Sequence, residues 1–272
     1  MTKERSVERQ ILTASVLGRS QVSPTFVRVT IGGPDLEHFV PRGFDQWFRL
    51  FLPREGQDEL RLPTRASVLW YAQYLLMAKE TRPLARNYTV RDYRAAGDGR
   101  FGDTPEIDID FACHGDDAPA CAWALSATVG TQVGLLDEGS HYTPPPGTQW
   151  HLLAGDESAL SAVLGILRSL PRDSRVEAFI EIPHADDVQL VDAPDGAKIH
   201  WLVRGNSEAR PGELALNTVR EATLPTEPCY AFVAGESQLA TGLRRHLLND
   251  RNVPKSDVKF TGYWKVGRSA SS

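Results

Sequence analysis

Cysteine is scarce in this chain of 272 residues, which holds only Cys113, Cys121 and Cys229. Three cannot all pair, and no C-x-x-C spacing exists. A disulfide framework and a thiolate zinc or iron–sulfur site are therefore excluded. The seven histidines are scattered, with no H-x-x-x-H pair, so no dedicated metal site is expected. Long apolar runs are missing as well. The stretch Val68–Ala78 is broken by Gln73 and is too short to span a bilayer. Met1-Thr2-Lys3-Glu4-Arg5 leads into Gln10-Ile11-Leu12 without the apolar core of a signal peptide. The expectation is a cytoplasmic protein with no membrane partner. A basic excess is absent too: the net charge of −5 argues against a nucleic-acid partner.

What is present is ordinary for a soluble globular protein, with 41% hydrophobic and 24% charged residues. The length suits one large or two ordinary domains. The first half is strand-like over 10–16, 25–31, 47–52, 87–93, 106–112 and 130–136, with Gly/Pro turns between. Short strands so spaced predict an antiparallel β-barrel. A helical insertion over 69–79 interrupts it, and its aromatics Trp70, Tyr71 and Tyr74 are expected to pack on the barrel. Pro144-Pro145-Pro146-Gly147 reads as a stiff linker, because consecutive prolines continue neither a helix nor a central strand. Beyond it strands at 150–154, 175–182, 199–204, 229–234 and 258–263 alternate with helices at 157–169, 212–221 and 237–250. That alternation predicts an α/β domain with a mainly parallel sheet, whose ligands sit at the carboxyl ends of the strands. The expected division is 7–143 and 148–268.

The segment Arg86-Asn87-Tyr88-Thr89-Val90-Arg91 carries the chemistry. Period-2 alternation sends Arg86 and Tyr88 to one face and Asn87 and Thr89 to the other. A guanidinium can grip two phosphate oxygens, and an aromatic ring can lie against a flavin. The competing reading is an edge strand with charged ends. Downstream, the strand 107–113 meets His114-Gly115 and then a helix that starts near Ala118-Pro119-Ala120. A helix opened by such a turn presents free N–H groups to an anion. Taken alone, a strand, turn and helix is also common architecture.

R-x-Y-[ST]-x-R resembles the flavin motif of the ferredoxin-reductase-like superfamily. Together with His114-Gly115 through Trp123-Ala124, Ala154-Gly155-Asp156-Glu157-Ser158, Val233-Ala234-Gly235-Glu236 and Gly262-Tyr263-Trp264-Lys265-Val266-Gly267, it resembles the siderophore-interacting protein family over roughly residues 7–268. The resemblance implies an N-terminal β-barrel that binds FAD and an α/β domain that receives NADH or NADPH. It implies that Arg86 holds phosphate, Tyr88 contacts the flavin ring and Thr89 sits near its N5, with Val90 and Arg91 completing the strand. His114, Gly115, Ala118, Pro119 and Ala120 match the pyrophosphate turn, with Ala118 where Gly is common. Gly155, Asp156 and Glu157, with Gly235 and Glu236, match the nicotinamide-side turns. Their acids read equally well as caps of the helices that follow. Arg204, near a strand end, is a candidate for a 2′-phosphate.

The resemblance also implies basic residues around the flavin that attract anionic iron chelates. Arg49 and Lys265 fall at two such places, with ordinary surface charge as the alternative. Glu138 stands where a third cation is expected. An acid there disfavours a triply charged catecholate and favours a hydroxamate chelate. The function implied is an FAD-dependent NAD(P)H:ferric-siderophore reductase, monomeric, with no side chain needed as acid or base. The alternatives are a generic NAD(P)H:flavin oxidoreductase and a siderophore- or flavin-binding protein without turnover.

Overall fold

The computed structural model describes residues 10–57, 59–67, 69–113, 118–205 and 208–267. The first sheet contains β1 (Ile11–Gln21), β2 (Phe26–Gly32), β3 (Trp47–Leu52), β4 (Leu84–Thr89), β5 (Asp92–Arg94), β6 (Glu106–Ala112) and β7 (Gln132–Gly139). Their order is β4-β3-β7-β1-β2-β6-β5, all antiparallel. Alternation turns Leu12, Val29, Phe48, Leu50, Ile109 and Leu135 into one core. β4 and β5 follow each other in sequence but lie at opposite edges. Between them Val90 N–H donates to Gln46 O and Arg91 N–H to Asp108 O, both at 2.9 Å. Two residues thus carry the chain across the open side and make the sheet a half-barrel. The single strand expected over 87–93 is split there because these two N–H groups pair with different segments.

The expected insertion holds α1 (Trp70–Leu76). Trp70 and Tyr74 bury against Phe51 and Leu136 on the sheet's outer face, while Tyr71 stays 52% exposed. A more surprising feature lies on β6. The polar positions Glu106, Asp108 and Asp110 are all buried. Arg28 grips Asp110 with two bonds at 2.6 and 2.8 Å, and Arg94 reaches both Glu106 and Asp108 at 2.9 and 2.8 Å. Arg100 adds a bond to Asp108 at 2.7 Å. Burial alone would raise the Asp108 carboxyl, but its hydrogen bonds from Arg94 and Thr30 outweigh that and hold it below the usual value. A row of paired charges covers this strand where apolar side chains commonly do.

After α2 (Pro119–Ser126) and β7 the chain passes the proline segment and enters the second sheet. It comprises β8 (Trp150–Gly155), β9 (Val176–Ile182), β10 (Lys198–Val203), β11 (Cys229–Glu236) and β12 (Val258–Trp264), ordered β10-β9-β8-β11-β12 and parallel. α3 (Leu160–Ser169) packs on one face, α4 (Glu213–Glu221) and α5 (Ser237–Asn249) on the other. β8, β9 and β11 are buried throughout, as covered parallel strands must be.

The two sheets are joined by a shared core. Phe26 of β2, with Phe44 and Tyr142, packs among α3 residues and Phe232. The Tyr142 ring lies 5.5 Å from Phe44 and 5.2 Å from Tyr230, and its hydroxyl meets His151 Nδ1 at 2.6 Å. Buried Asp187 accepts from Ser23 Oγ at 2.5 Å and from Thr25 N and Oγ1 at 3.0 and 2.7 Å. Arg168 pairs with Asp92 at 3.0 Å. Among the described residues no helix is long and apolar enough to cross a membrane.

Candidate functional site

β4 pairs with β3, and the register sets the two faces of the expected motif. Tyr88 lies opposite Phe48 and Arg86 opposite Leu50, on the core-facing side. Thr89 lies opposite Trp47 and Asn87 opposite Arg49, on the other. The Tyr88 ring packs 4.3 Å from Phe111, which lies 5.8 Å from Trp123. Trp123 is therefore a helix-packing residue. Burial drives the Tyr88 phenol far above its usual pKa, so it stays neutral. Arg86 is half-buried, and its Nη1 donates to Ala85 O at 2.8 Å. Burial lowers its pKa, and the Arg54 charge adds to that. An anion arriving at Arg86 relieves both penalties.

The helix expected near residue 119 is α2. Ala118 caps it with no side-chain hydrogen bond, and Pro119 opens its first turn. An alanine cap offers no side-chain acceptor of its own to the leading N–H groups, which suits a phosphate. Ala120 is buried behind them. His114 and Gly115 lie outside the described residues. Val90 is buried in the first core, and its backbone makes the crossing described above. Arg91 joins the two sheets: it lies 3.4 Å from Asp110, and it donates to Gln189 Oε1 at 3.0 Å. Among the described residues, Gln189 Nε2 is buried without a partner, as is Trp47 Nε1. Trp47 Nε1 belongs to the residue paired with Thr89. Two orphan donors flanking this strand fit a cofactor rich in acceptors, and FAD is one. Sequence reasoning missed both. Gln189 comes from the loop after β9, and only tertiary packing brings it to Arg91.

On the outer face Arg49 is already matched by an acid. Arg49 Nε lies 2.9 Å from Glu138 Oε1, and Arg49 Nη1 donates to Asn87 Oδ1 at 3.0 Å. The guanidinium sits between two indoles, 4.7 Å from Trp70 and 5.5 Å from Trp47. Glu138 is therefore not a bare repelling acid; it neutralises Arg49. His141 lies against Trp47 at 5.4 Å. Burial, then the Lys259 charge, pushes His141 below the usual imidazole value. Tyr263 of β12 lies beside the Thr89 side chain. The residue is 39% exposed, yet its hydroxyl is desolvated, which raises its pKa. Lys265 follows as an exposed residue, and among the described residues no carboxylate pairs with it. Lys259, His141 and Trp47 carry no sequence signal of their own; the packing of the two sheets brings them together.

At the ends of β8 and β11 the acids turn inward. Asp156, Glu157 and Glu236 are all buried. Asp156 caps the turn that begins at Glu157, and Glu236 caps α5. Asp156 and Glu236 realise the capping reading, which is compatible with cofactor contact, while Glu157 pairs with Arg204. Gly155 is required because a Cβ would meet Ala159 at 2.7 Å and Ala234 O at 3.0 Å. Gly235 has φ +132°, and its Cβ would strike the Asp156 carboxyl at 2.6 Å. Close packing thus accounts for both glycines. Arg204 is consumed by Glu157 at 2.9 Å and Glu181 at 2.5 Å, with 9% of its side chain exposed. It is not available to a 2′-phosphate. Glu181 in turn accepts from the N–H groups of Gly212 and Ala215 and so anchors α4. Among the described residues no three His, Cys, Asp or Glu side chains converge to hold a metal.

Residues 15–141 match the siderophore-interacting FAD-binding domain, and residues 148–267 match the siderophore-interacting protein family. The ferric vibriobactin reductase ViuB of Vibrio cholerae is 32% identical over 255 residues, covering 92% of this chain and 88% of that one. A ferric acinetobactin reductase of Acinetobacter baumannii is 29% identical, covering 78% and 73%. The crystal structure of a siderophore utilization protein from T. fusca superposes with a TM-score of 0.80 at 29% identity, covering 97% and 95%.

Proposed function

The chain belongs to the siderophore-interacting protein family, and we propose that it is an FAD-dependent reductase of ferric siderophores driven by NADH or NADPH. The observation that carries this reading is β4. Arg86 and Tyr88 share its core-facing side, and Thr89 lies on the other beside the orphan indole N–H of Trp47. FAD, held by Arg86 and Tyr88, would supply the relay between a two-electron nucleotide donor and one-electron ferric iron. Iron(III) bound by hard oxygen donors loses affinity on reduction, so the metal leaves its chelator. The protein's part is to bind, orient and exclude water.

In the proposed division of labour, residues 7–143 hold FAD and residues 148–268 receive the nucleotide. Arg86 and the first turn of α2, at Ala118, Pro119 and Ala120, would hold the pyrophosphate. Tyr88, kept neutral by burial, offers its ring without a competing charge. Trp47 Nε1 and Gln189 Nε2 would offer donors to acceptors of the bound cofactor. Around Gly155 and Gly235 a nucleotide meets backbone, because the nearby carboxylates are engaged.

Arg49 and Lys265 remain the proposed substrate contacts, with unequal weight. Arg49 is balanced by Glu138, whereas Lys265 keeps its charge. One cation thus offers less to a triply negative catecholate than two would. A hydroxamate chelate of low charge is the proposed preference, through neutralisation of Arg49. Three reduced thiols suit the cytoplasm as the proposed compartment, with the protein acting as a monomer.

Anaerobic bleaching of the flavin by NADH and by NADPH, then re-oxidation by ferric siderophores with a ferrous-specific chelator present, tests the reading. Bleaching followed by stoichiometric ferrous capture is expected. Yellow protein that neither nucleotide bleaches would reject reductase activity in favour of binding alone. Bleaching without ferrous capture would leave the generic flavin reductase.

A further inference from the structure

Two buried carboxylates grip the far end of β12. Both Asp156 and Glu236 are fully buried. Asp156 Oδ2 accepts the Glu236 N–H at 2.5 Å and the Trp264 indole N–H at 3.2 Å. Its Oδ1 accepts the Ser158 N–H at 2.9 Å and the Ser158 hydroxyl at 2.5 Å. Glu236 accepts the Val266 N–H on Oε1 at 3.2 Å and the Gln238 N–H on Oε2 at 2.5 Å. Ser237 Oγ donates to Trp264 O at 2.7 Å. The carboxylates thus hold the strand through the residues on each side of Lys265. Tyr263, just upstream, is the residue that meets Thr89.

An edge strand with polar, half-exposed side chains has little burial to fix its end. β12 shows this: Phe260 and Tyr263 within it are 39% exposed, and Val266, just past its end, is 40% exposed. Exposed strand ends fray unless tied down. The ties here are hydrogen bonds to buried carboxyl oxygens, and a buried donor left without its acceptor is costly. They also explain why the acids of two nucleotide-side turns face inward.

We propose that Asp156 and Glu236 are positioning residues, which clamp Trp264 and Val266 so that Tyr263 stays against Thr89 and Lys265 is presented outward to substrate. The clamp rests on the reductase reading for its substrate side. It links the carboxyl ends of β8 and β11, the nucleotide end of the sheet, to the barrel strand that carries the flavin motif.

Trp264→Phe tests it in the full-length protein, since it keeps an aromatic ring and removes one N–H. Glu236→Gln is the second variant and retains one acceptor. In the flavin-free protein, peptides covering 263–266 should exchange amide hydrogen about tenfold faster in each variant, as expected when one buried bond is lost. Peptides from β8, β9 and α3 should not change. In the loaded protein, FAD affinity should hold, while KM for an anionic ferric chelate rises several-fold at nearly constant kcat. Unchanged exchange at 263–266 overturns the clamp. So does faster exchange through both sheets with FAD affinity falling in step, which marks a general structural role. Unchanged KM despite local loosening overturns the positioning of Lys265. Local loosening in a protein whose wild type reduces no ferric chelate fails the reductase reading and leaves the clamp standing.

Discussion

Replacing Glu138 with Gln should speed capture of electrons by a triply anionic catecholate chelate far more than by a neutral hydroxamate. In the structure Glu138 Oε1 lies 2.9 Å from Arg49 Nε, with 14% and 30% of the two side chains exposed. An approaching anion therefore meets a pair of no net charge. Removing the carboxylate adds one unit of positive charge and leaves Arg49 stacked on Trp70. At a separation of about 8 Å in water, one charge acting on a −3 chelate is worth about 1.5 kcal/mol. At physiological ionic strength screening cuts this to about 0.6 kcal/mol. The gain should then be about threefold in physiological salt and about tenfold at low salt. The stability cost should be below about 1 kcal/mol, because the pair is partly exposed. Stopped-flow re-oxidation of the pre-reduced protein, with both chelates at two salt concentrations, measures it. Equal gains for both chelates, or a gain indifferent to salt, would refute the neutralisation argument.

Arg86→Ala should weaken FAD binding roughly ten- to hundredfold through loss of charge-assisted phosphate bonds, and an equilibrium FAD titration that finds equal affinities rejects that role. Asp187→Ala should cost about 2–4 kcal/mol in urea unfolding, because it strands buried donors from Ser23, Thr25 and His184. Burial opposes the Asp187 charge, but those bonds outweigh it and depress the carboxyl. Its stabilisation is therefore full above the unfolded value and lost as pH falls through the folded one; a wild-type minus Asp187→Ala difference that does not shrink on acidification contradicts this. Asp156 behaves oppositely. Burial, then the charge of Glu157, raises it to about 7 against bonds from Ser158 and Glu236. Its contribution is present at low pH and lost as pH rises through about 7, so Asp156→Asn should gain on wild type between pH 5 and pH 8 by at least about 1 kcal/mol. Parallel pH–stability curves for the two proteins would dismiss the raised carboxyl.

The sheets were legible because their patterns are strong. β3 and β6 fall at the expected residues, since alternating apolar positions at that spacing have one way to bury. The break between β4 and β5 was not legible, because Val90 and Arg91 look like two more strand residues until their N–H groups find different partners. The flavin-strand faces followed from period 2 alone. The acids of β6 did not, because alternation marks them as solvent-facing, and the arginines that cover them come from β2, β5 and the loop before β6. Asp156, Glu157 and Glu236 show the same limit. A motif gives their place at the strand ends, but the direction of a carboxylate depends on Arg204 and Trp264, which lie 47 and 108 residues from their partners. Glu138 and Arg49, 89 residues apart, could be read singly but not as a pair.

The aromatic joint has a consequence for how such chains recombine. Phe26 is 2% exposed, yet most of its neighbours lie beyond the proline segment. A chimera that exchanges halves with a relative at residues 144–147 would carry Phe26, Phe44 and Tyr142 into a socket shaped for other side chains. Either half produced alone would bare those rings to water, and such patches seek company. The proline segment marks where the backbone changes sheets, but not where the protein comes apart. Crossovers that swap β2 and the residue 142 corner together with α3 should yield soluble hybrids, so inheritance follows the joint and not the linker.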